Sequence, residues 1–259
     1  MERSDQTTWT RRKLLHVGAT GCMACAAISL GLASSHAATA TKIDGKGYSL
    51  SFVGSQREAM GAGKREAQLD LRTLKGRPHL CGLGPLEWLS GEVTIVDGRS
   101  HLGRIGPGQT LQVTESFEAG VPFFVWAEVP AWNTLPIPAG VESIPQLEAF
   151  VADAGRRNGL TQAFPFLLTG AAEKVDFHVG NSTRDTPAGM EAAMHTAVSF
   201  TLQKQPATYV GFWSNQHRGI FTHADQDTHV HLLTPDNKFS GHVDALVAGA
   251  GMQLRLPKI

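Results

Sequence analysis

Between Thr228 and Asp244 the chain reads THVHLLTPDNKFSGHVD, the stretch that most narrows what it can fold into. His229 and His231 are two residues apart in an apolar run. On a strand, positions i and i+2 point to one face. Pro235-Asp236-Asn237-Lys238 is turn chemistry. A turn centred on Asp236-Asn237 sets His242 directly opposite His231, with Cβ atoms about 4.5–5.5 Å apart. Three imidazoles then converge on one face of a hairpin near the C-terminus. Alternating histidines alone can equally line a solvated polar face; the third, at the paired position, points to a metal. Bonds of about 2.0–2.1 Å to Zn2+ need such convergence, and three protein ligands leave a fourth position open, as in catalytic zinc sites. In the same register Asp244 faces His229 and is placed to fix that ring's tautomer.

The N-terminus carries an address rather than fold information. Arg11-Arg12-Lys13 precedes an Ala- and Gly-rich stretch from Val17 to Leu32, and Ala38-Thr39-Ala40 supplies a small-residue cleavage site. This is the layout of a twin-arginine (Tat) secretory signal over residues 1–40, with the periplasm or the cell exterior as destination. An uncleaved N-terminal anchor and, more weakly, a lipoprotein site at Cys22 are the other readings of the same residues. Cleavage after Ala40 removes Cys22 and Cys25 and leaves Cys81, so the mature chain has no intramolecular disulfide. Cys81 reads as a small buried apolar residue.

Composition limits the rest. The 259 residues include 23 basic and 23 acidic side chains, which disfavours a nucleic-acid binder, since that class usually carries a basic excess. An apolar fraction of 42% supports a sizeable core. Beyond residue 40 no apolar run is long enough to span a membrane. The expected partner is a small-molecule substrate.

Strands are expected from Tyr48 to Phe52, Glu92 to Asp97, Leu111 to Val113, Phe123 to Ala127, Phe164 to Thr169, Tyr209 to Trp213, Thr228 to Leu233, Gly241 to Val247 and Met252 to Leu256. Asp97-Gly98 is a hairpin signal. Val175 to Val179 is expected as the hairpin partner of Phe164 to Thr169. Ser143 to Arg157 reads as a helix, capped by Ser143 and stopped by Asn158-Gly159. Leu69 to Leu74 suggests a short helix, and Glu191 to Ser199 fits helix or strand. The fold class is α+β: two packed, mixed or antiparallel β-sheet halves with few helices. The halves are expected at 41–162 and 163–259, the second holding the histidine hairpin. His217, Arg218, His223, Asp225 and Asp227 form a polar loop that either lines a pocket or is solvated. His79, His101 and His195 show no partner.

The hairpin THVHLLTPDNKFSGHVDA resembles the zinc site of the α-acetolactate decarboxylase family. The stretch GLGPLEWLSGE from Gly82 to Glu92 is similar to another segment of that family, as are Pro122-Phe123, Phe164–Gly170 and Tyr209-Val210-Gly211-Phe212. The resemblance covers about residues 70–247. It implies His229, His231 and His242 as zinc ligands, Glu92 as an active-site carboxylate, a cleft between two packed halves, and a homodimer by analogy. The implied reaction is decarboxylation of 2-acetolactate to acetoin, with a metal stabilising the charge left by CO2 and an acid protonating carbon.

The chain also departs from the family. His178 stands where the family has an active-site arginine, and a histidine holds an anion by charge only when protonated. Arg184 and Arg218 are the alternatives for that role. Pro85 replaces a threonine, and the C-terminal Leu254–Ile259 has no acidic counterpart. These differences suggest a divergent member acting on a related 2-hydroxy-3-keto acid. His178, with Trp126 and Trp213 on nearby strands, would suit a larger or aromatic ligand, and a metal-holding module that binds without turnover is the non-enzymatic alternative. If the signal is processed as read, protein recovered from the exported fraction has the mass of a chain beginning at Thr41 and, once denatured, one titratable thiol; a full-length mass with three thiols would refute the cleavage.

Overall fold

The computed structural model describes residues 39–259, so all but the last two residues of the candidate signal lie outside the described region. The chain runs through β1 (Thr41–Gly45), β2 (Tyr48–Val53), α1 (Gln56–Gly61), β3 (Leu69–Asp70), β4 (Leu80–Pro85), β5 (Glu92–Val96), β6 (Arg99–Ile105), β7 (Leu111–Glu115), β8 (Gly120–Val121) and β9 (Phe124–Glu128). It continues through β10 (Trp132–Pro136), α2 (Ile144–Arg157), β11 (Phe164–Ala171), β12 (Lys174–Val179), α3 (Met190–Thr196), β13 (Val198–Leu202), β14 (Pro206–Trp213), β15 (Thr228–Leu233), β16 (Ser240–Val247) and β17 (Gln253–Pro257). One sheet has the order β1-β2-β9-β4-β5-β6-β7, the other β10-β17-β11-β14-β15-β16-β12-β13, and β3 pairs with β8. The fold is therefore α+β, dominated by two antiparallel sheets. None of the described helices is long and apolar enough to cross a membrane.

Local chemistry explains the elements. Asp97 and Gly98 both adopt positive φ, 46° and 77°, as a two-residue hairpin turn joining β5 to β6 requires. The Ser143 side chain caps α2 by accepting from the Gln146 amide. Ile144, Leu147, Val151 and Ala154 recur at helical spacing and form its buried face. The Asn158 side chain donates to the Ala154 carbonyl, 2.8 Å, and ends it. The stretch from Leu69 divides into β3 and a single 3-10 turn, Leu71–Leu74. The segment that fitted helix or strand divides as well, into α3 and β13.

The expected hairpin of β11 with β12 does not form. Both edges of β11 are taken, by β14 and β17, and both edges of β12 by β13 and β16. Only Ala172 and Glu173 join strands that stand four places apart in the sheet, so the sheet must curl to let the chain pass. The corner is held by Lys204 N–H to the Ala172 carbonyl, 2.9 Å, and Glu173 N–H to the Val247 carbonyl, 3.0 Å.

The main core lies between the sheets and under α2, with Leu50, Leu83 and Val125 from the first sheet meeting Phe166, Tyr209 and Phe212 from the second. A second cluster, including Val93, Ile95, Leu102 and Phe124, covers the outer face of the first sheet. Cys81 is buried and free, and burial pushes its thiol up to about 12. The sheets approach closely beside the histidine hairpin. The Ser240 hydroxyl bonds that of Thr94, 2.9 Å apart, and a Cβ on Gly103 would lie 2.8 Å from the Ser240 carbonyl oxygen. Only glycine leaves room for that approach. Gly103→Ala is expected to destabilise the fold by about 1–3 kcal/mol, the usual cost of overpacking, read from urea denaturation; an unchanged midpoint would show that the seam is slack.

Candidate metal centre

All six residues of β15 are buried, and the strand lies between β14 and β16. His231 pairs with His242 across the β15–β16 ladder, as the turn register requires. The His229 Nδ1 atom lies 2.8 Å from the Phe221 carbonyl oxygen, and His231 Nδ1 lies 2.9 Å from that of Val93. A carbonyl only accepts, so both Nδ1 atoms carry the proton and both neutral rings present a lone pair at Nε2. Those Nε2 atoms stand 3.2 Å apart. Two lone pairs that close repel unless a cation sits on them. Ligands about 2.0–2.1 Å from a tetrahedral zinc would be separated by about 3.3–3.4 Å, close to this spacing. His242 adds a third ring, its Nδ1 lying 3.0 Å from His229 Nε2, but the sets whose ligand atoms all lie within 4.8 Å of one another are His223, His229 and His242, and His178, His242 and Asp244; His231 stands in neither.

Protonation agrees with this. Burial, reinforced by neighbouring imidazoles, holds His229 and His242 well below the ordinary histidine range. Burial brings His231 down to about 3. Neutral imidazole is the form that binds a metal, so the residues fit a divalent ion with nitrogen ligands.

A fourth imidazole joins from the loop before β15. His223 Nε2 lies 3.0 Å from His242 Nε2, and the Gln56 amide is 3.3 Å from His223 Nδ1. His223, His229 and His242 each offer a ring nitrogen within 4.8 Å of the others. Of the two readings of that loop, lining a pocket is the one His223 takes. No strand period runs through 214–227, so spacing alone had no means of placing it.

Glu92 begins β5 and is 5% exposed. Its Oε1 accepts from the Gly180 amide, 3.2 Å, and its Oε2 lies 3.6 Å from His231 Nε2. A side chain on Gly180 would meet the Leu89 carbonyl at 2.6 Å, so glycine is what lets this amide reach the carboxylate. Burial raises the Glu92 carboxyl to about 7, against the opposing pull of His178 and the Gly180 amide.

His178 lies in the same cleft, paired in register with His242, ring centroids 4.8 Å apart. Asp244 is bound to it and not to His229: Asp244 Oδ1 lies 2.7 Å from His178 Nδ1. The β15–β16 ladder stops at His242, while β16 continues along β12, where a bulge at Asp176/Phe177 shifts the register. The tautomer role expected of Asp244 therefore passes to the Phe221 carbonyl. Burial lowers the His178 pKa, but the hydrogen bond and charge of Asp244, with Glu92, outweigh it and the net shift is upward.

A cavity of about 50 Å3 joins these groups, lined by Glu92, His178, His223, His229 and His242 together with Gln56, Met60, Pro85, Phe123, Met190 and Met194. Among the described residues no arginine lines it. Arg218 is paired with Asp227 at 2.7 Å, and Arg184 lies over the Trp88 ring at 4.6 Å. The two tryptophans expected near a ligand are elsewhere. Trp126 packs with Phe124 on the outer face of the first sheet. Trp213 pairs with Thr228, one residue out of phase with His229, and stacks on Phe164.

A family model described as alpha-acetolactate decarboxylase matches residues 52–258. Among solved structures, the chain is similar to a Staphylococcus aureus protein of unknown function described as similar to alpha-acetolactate decarboxylase. The identity is 16%, over 80% of this chain and 84% of that one, with a TM-score of 0.66. It is also similar to the alpha-acetolactate decarboxylase of Bacillus subtilis strain 168, with 16% identity, 80% and 85% coverage and a TM-score of 0.62. The acetolactate decarboxylase of Bacillus subtilis subspecies spizizenii gives 17% identity, 80% and 85% coverage and a TM-score of 0.63. At such identities these structures establish a shared fold. No curated protein matches the chain. If the histidines form a metal centre, protein purified with ample zinc carries about one equivalent, His242→Ala loses nearly all of it, and His178→Ala keeps it; equal zinc in His242→Ala and wild type would remove the assignment.

Proposed function

The chain belongs to the alpha-acetolactate decarboxylase family, and on that premise we propose that it is a zinc-dependent carbon–carbon lyase that decarboxylates 2-acetolactate, or a related 2-hydroxy-3-oxo acid, to a hydroxyketone. The observation that carries this reading is the pair of lone pairs turned toward each other on His229 and His231, beside the buried carboxyl of Glu92. His229, His231 and His242 would hold the ion. An ion held there would supply Lewis acidity to the substrate's oxygens during loss of CO2.

The protein's own groups do the remainder. Glu92 Oε1 is engaged by the Gly180 amide, which leaves Oε2 to carry a proton. Burial pushes the Glu92 carboxyl toward its protonated form, which suits it to donate a proton to carbon. Fixed on one side of the cleft, it delivers that proton to one face and yields one enantiomer. His178, seated on Asp244 through Nδ1, presents Nε2 to the cleft and orients the substrate anion in its protonated form. Phe123 and the methionines keep bulk water from the reacting carbon.

The reading includes export: the twin arginines and the Ala38-Thr39-Ala40 site assign the working protein to the periplasm or the cell exterior. The test is acetoin formation from racemic 2-acetolactate by the zinc-loaded protein. Turnover abolished by chelation is the expected result, and Glu92→Gln should lower kcat by about 10²–10⁴-fold with zinc content unchanged. A zinc-loaded wild-type protein that forms no hydroxyketone from any such acid would sink the proposal.

A further inference from the structure

The mouth of the cleft is built from methionine. Met190 and Met194 lie one turn apart on α3, 44% and 43% exposed, the only large hydrophobic side chains besides Ile259 so exposed among the described residues. Positions i and i+4 share one face of a helix. That face borders the cavity that holds Glu92, His178 and His223, and Met60 of α1 borders it too. Ala193 packs against Ala59 in a small cluster with Leu89 and Phe123, so α3 rests on α1 by its small residues and leaves its long ones free. The backbone leading into α3 is fixed. Arg65, 3% exposed, donates to the Thr186 carbonyl at 2.9 Å and the Pro187 carbonyl at 2.8 Å. The rim thus has a hydrogen-bonded mount and exposed, unbranched side chains.

The cavity of about 50 Å3 holds a few waters at its floor and opens to solvent between the methionines, so the hydrocarbon of a larger acid lies against the rim. Methionine, unbranched and polarisable, re-packs around whatever apolar group replaces the solvent. We infer that Met60, Met190 and Met194 form an adaptable apolar rim that selects 2-hydroxy-3-oxo acids carrying an alkyl or aryl substituent larger than methyl. This rests on the reading of the cleft as a 2-hydroxy-3-oxo acid site. The chemistry of the rim fits it: the acid's oxygens meet histidines and Glu92 at the floor, and its hydrocarbon meets sulfur and methylene groups that are otherwise left to water.

The test separates the rim from the chemistry. Lactate, 2-hydroxybutanoate and 2-hydroxyhexanoate serve as non-reacting probes, their binding to the zinc-loaded full chain read by calorimetry. Wild-type affinity should rise about two- to fourfold per added methylene, fourfold being the equivalent of about 0.8 kcal/mol for a fully buried one. Met190→Gln/Met194→Gln should flatten the series, and Met190→Leu/Met194→Leu should restore it. A flat wild-type series, no binding by any probe, or a slope that survives the glutamine pair overturns the rim. Hydroxyketone formation from 2-acetolactate and from its ethyl homologue is scored separately. A sloped series with turnover of neither acid removes the decarboxylase and keeps the rim as a ligand-selecting feature; turnover with a flat series does the opposite.

Discussion

The hydrogen bond from His231 Nδ1 to the Val93 carbonyl spans 138 positions of sequence and joins one sheet to the other at a fully buried point. It satisfies an acceptor that would otherwise be stranded in the core, a loss of about 1–3 kcal/mol. It also decides which nitrogen of His231 carries the proton, and so aims the remaining lone pair at His229. Packing and chemistry therefore share one contact. The Ser240–Thr94 bond and the absence of a side chain at Gly103 keep the sheets near enough for that contact to be made.

Around this contact the protein concentrates groups that a core ordinarily excludes. His229, His231, His242 and Glu92 are all nearly inaccessible. Burial suppresses charge on each, lowering the imidazoles and raising the carboxyl. The result is a set of neutral donors with fixed lone pairs and one carboxyl that burial holds above the ordinary carboxylate range. His178 differs because Asp244 lies within hydrogen-bond reach; that one carboxylate reverses the effect of burial. Two imidazoles with ring centroids 4.8 Å apart are thus pushed in opposite directions by their neighbours.

Much of the architecture was legible beforehand because it is local. The Asp97-Gly98 turn, the Ser143 cap and the alternation of β15 each depend on residues within a few positions of one another. What failed did so for non-local reasons. β11 and β12 read as a hairpin since nothing nearby says that both edges of each strand will be claimed by distant partners. Asp244 read as a partner of His229 because the ladder was extrapolated past His242, where β16 leaves β15 for β12. Trp126 and Trp213 read as cleft residues from their strands, but alternation turns each away from it.

From the amino-acid order alone came the pairing of His231 with His242, since a turn sets the register of the strands it joins and a two-residue period sets their faces. The nature of the site, with its nitrogen donors and a carboxylate at Glu92, was likewise written in residue types and in motifs shared with a family. Tertiary structure decided the rest: the carbonyls that lock the tautomers, the approach of His223 from an aperiodic loop, the transfer of Asp244 to His178, and the methionines at the mouth. Each is a contact between segments far apart in the chain, and such contacts are chosen by how whole sheets and helices pack, for which no spacing in the sequence is a code.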